Sequence, residues 1–355
     1  MEIGIKEIGL SSSILNKIVI DNEADSFEFK LEIKIDGSLI YTTTLYCNDG
    51  GYASLYDLGS IVGHHMRMFI KRTVRLQVAA IFAKHTDTAD VTVVYSELRF
   101  PFFSDLDFIN SHFLTTRTYY TIPRTEVQKI SFADPTKLSQ PIIYNVAFRL
   151  NDNTVHTARL NADKNTFQID KDVTTIIIST TTFKPHLSQL FPDDNPIVLS
   201  GSITCGSRNI DFYFTDDKPL FSFSFLNIFN CWELYHVFGT QSINTDFTQK
   251  EATISGETTY YEQEKLRKLY IQTIPLTEEE AMWTNQFLGS QDTFIELPPH
   301  TWKILISDIT SEISNSPKTT ITIKFAWRFA DLHNMVISND KHNQIFNDKF
   351  NETYQ

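Results

Sequence analysis

Apolar and charged side chains alternate strictly along the segment Phe27–Ile35, FEFKLEIKI. This two-residue period predicts a β-strand with one apolar and one charged face. The Asp36-Gly37 pair that follows favours the positive φ angles of a tight two-residue turn, and the β-prone segment Ser38–Tyr46 comes directly after it. The pattern therefore predicts a β-hairpin.

The spacing of apolar residues changes after position 54 to steps of three and four, which place Leu55, Leu58 and Val62 on one helical face. This spacing predicts a short helix. Because Gly59 and Gly63 lower its intrinsic helix propensity, we expect packing on a sheet to stabilise it.

Segments of β-branched and aromatic residues between turn residues predict the remaining strands. They are Thr73–Ala83, Asp90–Phe100, Ile142–Leu150, Thr154–Leu160, Val173–Thr182, Ile197–Thr204, Asn209–Phe214, Ser242–Ser255, Thr258–Tyr270, Phe294–Leu297, Trp302–Ser307 and Thr319–Ala330. The segment FNCWELYHVF is interpreted as a further core strand, with Glu233 at its polar edge. Closely spaced short strands of this kind are typical of a sandwich or barrel.

Two further helices are predicted from their N-terminal capping residues. Ser104 is placed to cap a helical turn in SDLDFINSHFL. In the segment Thr277–Ser290, Thr277 and Glu280 form a predicted capping box, and Gly289 ends the helix.

These elements predict a mainly β protein of two or three β-sandwich-like domains, each with a short helix packed on the sheet. The predicted divisions are an N-terminal arm or edge strand (1–20), a domain with one helix (21–103), a connector and middle β-domain (104–219), a C-terminal β-domain with one helix (220–337) and a polar tail (338–355).

The formal net charge of −12 and the absence of a run of Lys and Arg argue against a nucleic-acid partner. Cys47, Cys205 and Cys231 are too widely spaced for a metal cluster and are interpreted as core residues of a reducing compartment. The N-terminus lacks the features of a signal peptide, and no apolar run approaches the ~20 residues needed to span a bilayer. We therefore expect synthesis in the cytoplasm without membrane insertion.

The sequence contains no recognisable catalytic or metal-binding motif, so we expect no enzyme activity and no cofactor. Isolated candidates remain: the pair His64-His65 for a metal site, the acidic groups Asp193-Asp194-Asn195 and Asp216-Asp217 for calcium, and the carboxylates Glu97, Glu126 and Glu233 for a glycoside-hydrolysing enzyme. The histidines are interpreted as ordinary helix residues, and the acidic groups as turns beside prolines.

Two stretches carry a resemblance to a known family. The first is EADSFEFKLEIKIDGSLIYTTTLYCNDGGYASLYDLGSIV. The second is FSFSFLNIFNCWELYHVFGTQSINTDFTQKEATISGE, followed by PLTEEEAMWTNQFLGSQDTFIEL and ITIKFAWRFAD. Together they resemble uncharacterised tail-associated structural proteins of phages and prophages of gut Bacteroidetes, and the plan is similar to that of distal tail and baseplate-hub proteins.

The resemblance covers residues 24–100 and 220–331. It implies a structural virion protein of a phage tail, a ring, adaptor or distal tail component that contacts copies of itself and other virion proteins. The alternative is a carbohydrate-binding or adhesin module that binds a host surface glycan. That alternative requires exposed aromatic platforms, for which the candidates are Trp232, Trp283, Trp302 and Trp327.

Overall fold

The computed structural model describes residues 3, 5–14, 17–19, 28–46, 52–55, 58–98, 104–135, 140–254, 257–297, 300–313 and 320–330. Within them, four α-helices run as α1 Leu58–Met68, α2 Asp105–Ser111, α3 Thr180–Leu190 and α4 Glu278–Gly289, and two short 3₁₀ turns span Ser11–Ser13 and Lys164–Thr166. Strands dominate, and the predicted mainly β fold class with several sheets and few helices is confirmed.

The strands in the described residues are β1 Ile8–Leu10, β2 Lys17–Val19, β3 Glu28–Ile35, β4 Ser38–Tyr46, β5 Tyr52–Ser54, β6 Thr73–Ile81, β7 Thr86–Val94, β8 Tyr119–Pro123, β9 Gln128–Ala133, β10 Ile142–Arg149, β11 Val155–Asn161, β12 Phe167–Asp170, β13 Val173–Ile178, β14 Ile197–Cys205, β15 Arg208–Thr215, β16 Phe221–Leu226, β17 Trp232–Val237, β18 Gly239–Ile254, β19 Glu257–Thr273, β20 Thr293–Leu297, β21 His300–Ser311 and β22 Ile323–Phe329.

The chain divides into two compact units. The first contains Met1–Asp217 together with Leu226–Leu234, and the second contains Lys218–Phe225 together with Tyr235–Gln355. The predicted boundary after residue 219 lies beside this division, whereas the predicted boundary after residue 103 falls inside the first unit. Residues 226–234 belong to the first unit, although the residues on either side of them belong to the second. The domain boundaries predicted from the sequence were continuous and did not include this exchange.

The first sheet of the first unit has the strand order β1-β7-β6-β3-β4. Its β3–β4 hairpin turns at Asp36 and Gly37, whose φ angles are +50° and +82°. Helix α1 packs on the apolar face of this sheet, because Leu58, Val62 and Met66 are fully buried in the same cluster as the alternating apolar residues of β3. The predicted hairpin and helix are both confirmed.

In the N-terminal segment, which was predicted as an arm or an edge strand, Ile8–Leu10 pairs in parallel with β7 and forms one edge of this sheet. The predicted strand Asp90–Phe100 is displaced, since β7 begins at Thr86 and ends at Val94. Beyond Val94, the backbone of Ser96 bonds to a side chain: Ser96 N–H donates to Ser11 Oγ at 2.9 Å, and that hydroxyl donates to Ser96 O at 3.0 Å.

A second five-stranded sheet has the order β11-β10-β14-β15-β8, and helix α3 packs on it. Phe183 of α3 contacts Tyr144 of β10 and Phe212 of β15, with ring centroids 5.2 and 5.5 Å apart. The sequence predicted a strand to Thr182, which was wrong, because β13 ends at Ile178 and α3 follows. The sequence did not indicate this helix, because its three threonines and Pro185 all have low helix propensity.

The rest of the first unit comprises a three-stranded sheet, β12-β13-β9, and a two-stranded sheet, β2-β5. A second core joins the three-stranded sheet to α2, and it includes Phe108, Val173, Phe229 and Cys231. The predicted cap of α2 is confirmed, because Ser104 Oγ accepts a hydrogen bond from Asp107 N–H at 3.1 Å.

The second unit is built on a seven-stranded sheet of order β17-β16-β20-β21-β22-β19-β18. Helix α4 packs on it through Phe287, whose ring lies 5.3 Å from Phe223 and 5.7 Å from Phe325. The predicted capping box is confirmed: Glu280 N–H donates to Thr277 Oγ1 at 3.2 Å, and Thr277 N–H donates to Glu280 Oε2 at 2.9 Å.

The segment FNCWELYHVF is not one strand, because β17 occupies only Trp232–Val237 and the residues before it form a turn with Asn230 at φ +55°. The predicted strand Thr319–Ala330 is shorter in the described residues, at Ile323–Phe329. None of the helices in the described part of the chain combines the length and apolar character needed to cross a bilayer.

Candidate interaction surface

Strands β18 and β19 form a hairpin much longer than the strand next to it. They have 16 and 17 residues, and they pair with each other along their whole lengths. The neighbouring strand β22 has 7 residues and pairs with β19 only over Leu269–Gln272. Beyond Asn244 and Lys268, which face each other, the hairpin continues for about 30 Å at the usual rise of a strand. No other named strand pairs with this distal part in the described residues.

The outer edge of β18 is not paired with any strand in the described residues. Ile274 N–H donates to Phe238 O at 2.9 Å, and the next facing pair is Gly239 with Thr273. Hydrogen-bonded and non-hydrogen-bonded pairs alternate along an antiparallel ladder, so Gly239–Thr273 is a non-hydrogen-bonded pair. The N–H and C=O groups of Gln241, Ile243 and the following odd-numbered residues of β18 therefore point away from β19. No strand of the described chain pairs with that edge.

An apolar row that crosses the sheet ends at this edge. Leu269 faces Trp327 on β22, and both side chains are 1% exposed, whereas Ile243, which faces Leu269 on β18, is 48% exposed. Facing residues of an antiparallel pair lie on the same side of the sheet. Ile243 is therefore the exposed end of an otherwise buried row, because β18 is the last strand of this sheet in the described residues.

The four tryptophans predicted as glycan platforms do not share one exposed face. Trp283 and Trp327 are buried, at 7% and 1% exposure, and both belong to the aromatic core of the second unit. Trp232 and Trp302 are half-buried. For Trp283 and Trp327 the platform prediction is wrong, because core packing covers the ring faces on which a sugar would stack.

The predicted carboxylates lie in structural contacts of the first unit. Glu97 accepts a hydrogen bond from Tyr95 OH at 3.0 Å and pairs with Arg67 at 3.4 Å. Glu126 lies in the turn between β8 and β9, where its N–H donates to Pro123 O at 2.9 Å.

Glu233 is 2% exposed and belongs to a buried polar network. Its Oε1 accepts a hydrogen bond from Asn227 Nδ2 at 2.5 Å. The same Asn227 amide donates to Leu114 O at 2.8 Å and accepts from Cys231 N–H at 3.0 Å, which fixes the turn between β16 and β17. Burial, and then the nearby charge of Glu233, raise the pKa of Tyr120 in this network. Glu233 is thus a satisfied interior group.

The histidine and aspartate candidates do not gather into a site. His64 is exposed, while the ring of His65 lies 4.7 Å from that of Phe69. Asp194 N–H donates to Phe191 O at 3.2 Å in a turn, as predicted. Asp216 accepts from Arg124 Nε at 2.7 Å. No group of three or more potential metal ligands occurs among the residues that the structure describes.

Two of the three cysteines are core residues, as predicted. Cys205 and Cys231 are each 1% exposed, and burial raises the pKa of both thiols, that of Cys231 to about 12. These thiols are therefore protonated at neutral pH. Cys47 lies outside the described residues.

No family model and no curated protein matches this chain. Among solved structures, a chimeric titin Z1Z2 functionalised with a decorin KLER peptide is 9% identical, with a TM-score of 0.15, over 59% of this chain and 92% of that chain. Drosophila OTK extracellular domains 3–5 are 8% identical, with a TM-score of 0.18, over 80% and 86%. The N-terminal four Ig domains of Dscam1 are 7% identical, with a TM-score of 0.17, over 77% and 68%. Similarity this low carries no conclusion about function.

Sequence reasoning predicted β18 and β19 as strands but did not foresee that the hairpin outgrows its sheet. The sequence carried no signal of this difference, because the predicted strands Ser242–Ser255, Thr258–Tyr270 and Thr319–Ala330 have similar lengths.

Proposed function

We propose that this protein is a structural subunit of a bacteriophage tail, acting as a ring, adaptor or distal tail or baseplate component through contacts between subunits. The observation that carries the proposal is the long β18–β19 hairpin, whose distal part pairs with no further strand in the described residues. Its partners would be copies of this chain and other virion proteins, and its location would be the tail.

A two-stranded hairpin without further partners is marginal in water. The distal part of this hairpin has only its own two strands for backbone pairing in the described residues. A neighbouring subunit that adds a strand or covers one face would stabilise it, as in other cases of strand addition. An extended arm of this kind suits a protein whose role is to join subunits.

The resemblance of residues 24–100 and 220–331 to phage tail-associated proteins supports the same proposal. The alternative, a glycan-binding module, draws no support from Trp283 and Trp327, because both rings are buried in the core.

The proposal is tested by shortening the hairpin in the phage genome. Asn244 and Lys268 face each other, and they form a hydrogen-bonded pair because such pairs fall at the even-numbered residues of β18. The segment between them can therefore be replaced by Asn-Gly to give a two-residue turn. We expect the shortened protein to fold with an unchanged unfolding midpoint but to be missing from purified particles by mass spectrometry.

The matched control is Ser255→Asn, which with Gly256 gives the same Asn-Gly pair between β18 and β19 and keeps the full length of both strands. We expect this variant to be incorporated like the original chain. The proposal fails if the unaltered protein is absent from purified particles, or if the shortened protein enters them in normal copy number.

A further inference from the structure

We infer that the free edge of β18 pairs with β18 of a second copy of this chain, antiparallel and about a two-fold axis through Ile243. This inference deepens the proposed function and rests on it, since it names one of the subunit contacts. Three observations support it: the backbone direction, the exposed end of the apolar row and the distribution of charge along β18.

The backbone of β18 is self-complementary at this edge. Ile243 directs its N–H and C=O outward, so two copies that meet at Ile243 exchange both hydrogen bonds of a facing pair. Gln241 then faces Thr245 of the second copy in the same way, because all three positions are odd-numbered and point outward. Each bond has an equivalent in the other copy, as a two-fold contact requires.

The side chains at this axis fit a second copy. The axis is perpendicular to the sheet, so the two Ile243 side chains lie next to each other on the same face. Each covers the other, and the row that now ends at a 48% exposed Ile243 becomes continuous with its equivalent. Burial of an apolar side chain of this size stabilises the contact, so its loss should be measurable as a change in the dissociation constant.

The charge pattern favours this register between two chains of net charge −12. Two such molecules repel each other unless the contact is uncharged or complementary. The segment 239–245, GTQSINT, contains no charged residue in a chain that is 21% charged. On the other face of the sheet, Ser242 meets Asn244 of the second copy, so no like charges face each other in this segment.

The first test is the mass of the purified protein in solution by light scattering and native mass spectrometry. We expect a dimer that dissociates at least tenfold more readily in Ile243→Lys, because two ammonium groups would meet at the axis. The matched control is Ile309→Lys, since Ile309 is also 48% exposed but lies on β21, away from the free edge. Ile309→Lys should leave the dissociation constant unchanged.

The second test measures the register by disulfide formation. In Ile243→Cys the two introduced residues face each other with Cα atoms about 5.5 Å apart, which permits a disulfide. In Asn244→Cys the two copies are offset along the strands by two residues, and we expect no bond. Peptide mass spectrometry identifies the 243–243 link apart from any link through native cysteines.

A protein that stays monomeric up to roughly 0.1 mM overturns the inference. Efficient linkage at 244 with none at 243 overturns it as well, because it requires another register. The proposed function is judged separately: a chain that dimerises but is absent from particles refutes the tail role alone, while a monomer found in particles refutes only the β18 pairing.

Discussion

Asp105 holds Leu10 across 95 positions of the chain, because its Oδ2 accepts a hydrogen bond from Leu10 N–H at 2.8 Å. Its other oxygen, Oδ1, accepts from Ser13 Oγ at 2.8 Å. One carboxylate in the first turn of α2 therefore fastens the N-terminal segment that supplies β1.

Replacing Asp105 with alanine should release this segment. The backbone N–H of Leu10 loses its partner, and an unsatisfied donor of this kind costs about 1–3 kcal/mol. We expect a loss of that size in the free energy of unfolding by urea, with faster amide hydrogen exchange around Leu10. Asp107→Ala is the control, because it removes a charge from the same helical turn without touching Leu10. Equal effects of the two variants would contradict the role of Asp105.

Gly201 has no room for a side chain. A Cβ atom there would lie 2.5 Å from Asn145 O and 2.5 Å from the ring of Phe212. We expect Gly201→Ala to lower the free energy of unfolding by roughly 2–3 kcal/mol, because overpacking forces backbone atoms apart.

Gly63 provides the matched comparison. A Cβ atom at this position in α1 meets nothing within 4 Å. Gly63→Ala should raise the free energy of unfolding by about 0.5–1 kcal/mol, since alanine is the better helix former. Thermal melts of both variants measure the opposite signs. A change of the same sign in both would show that the space around the added Cβ atom does not decide the outcome.

Ile70 has a backbone conformation that disfavours its own side chain. It follows α1 with φ +50°, in the left-handed region. Lys71 N–H donates to Met66 O at 2.7 Å, which is the hydrogen bond of a Schellman motif at the C-terminus of a helix. β-Branched residues are rare in this conformation, which costs about 1–2 kcal/mol relative to the right-handed one.

We expect Ile70→Gly to stabilise the protein by about 1 kcal/mol, because glycine adopts positive φ without the steric cost. Ile70→Ala is the control, since it shortens the side chain but keeps the Cβ atom that causes the strain. Chemical unfolding of the three proteins would contradict the explanation if alanine and glycine stabilised equally.

Asp36 links three segments of the first unit at the turn of the β3–β4 hairpin. Burial opposes its ionisation, but hydrogen bonds from Lys71, from the backbone N–H of Arg75 and from Lys171 outweigh that effect and lower its pKa to about 2. A carboxylate with a depressed pKa in the folded state stabilises that state above its usual pKa of about 4. This contribution is lost as the pH falls through about 2.

The comparison of Asp36→Asn with the original chain tests this dependence. Asparagine tolerates the positive φ of Asp36, so the change removes the charge and leaves the turn intact. We expect the variant to be less stable by about 1 kcal/mol above about pH 5, a figure reduced for solvent screening, and the difference to shrink towards about pH 2. Urea titrations between those limits measure it. A difference independent of pH would show that the ion pairs do not stabilise the fold.

Local sequence determined the elements whose signal lies in neighbouring residues. The β3–β4 hairpin follows from strict alternation and the Asp36-Gly37 turn, and α4 follows from the Thr277 and Glu280 capping box. Both depend on contacts within a few positions, so the chain specifies them directly. Helix α3 was missed for the converse reason: its three threonines and Pro185 have low helix propensity, and the contacts of Phe183 with Tyr144 and Phe212 select the helix.

The candidate interaction surface depends on distant pairing. The sequence predicted that β18 and β19 are strands, and it identified the tryptophans that would have to be exposed in order to bind a glycan. Only the tertiary structure shows that Trp327 lies in the core, that β22 pairs with just one end of the hairpin, and that Ile243 is the exposed end of its row. Alternation tells which side chains share a face of a strand. Which strand lies next to it, and where that neighbour ends, is decided by packing between residues far apart in the chain.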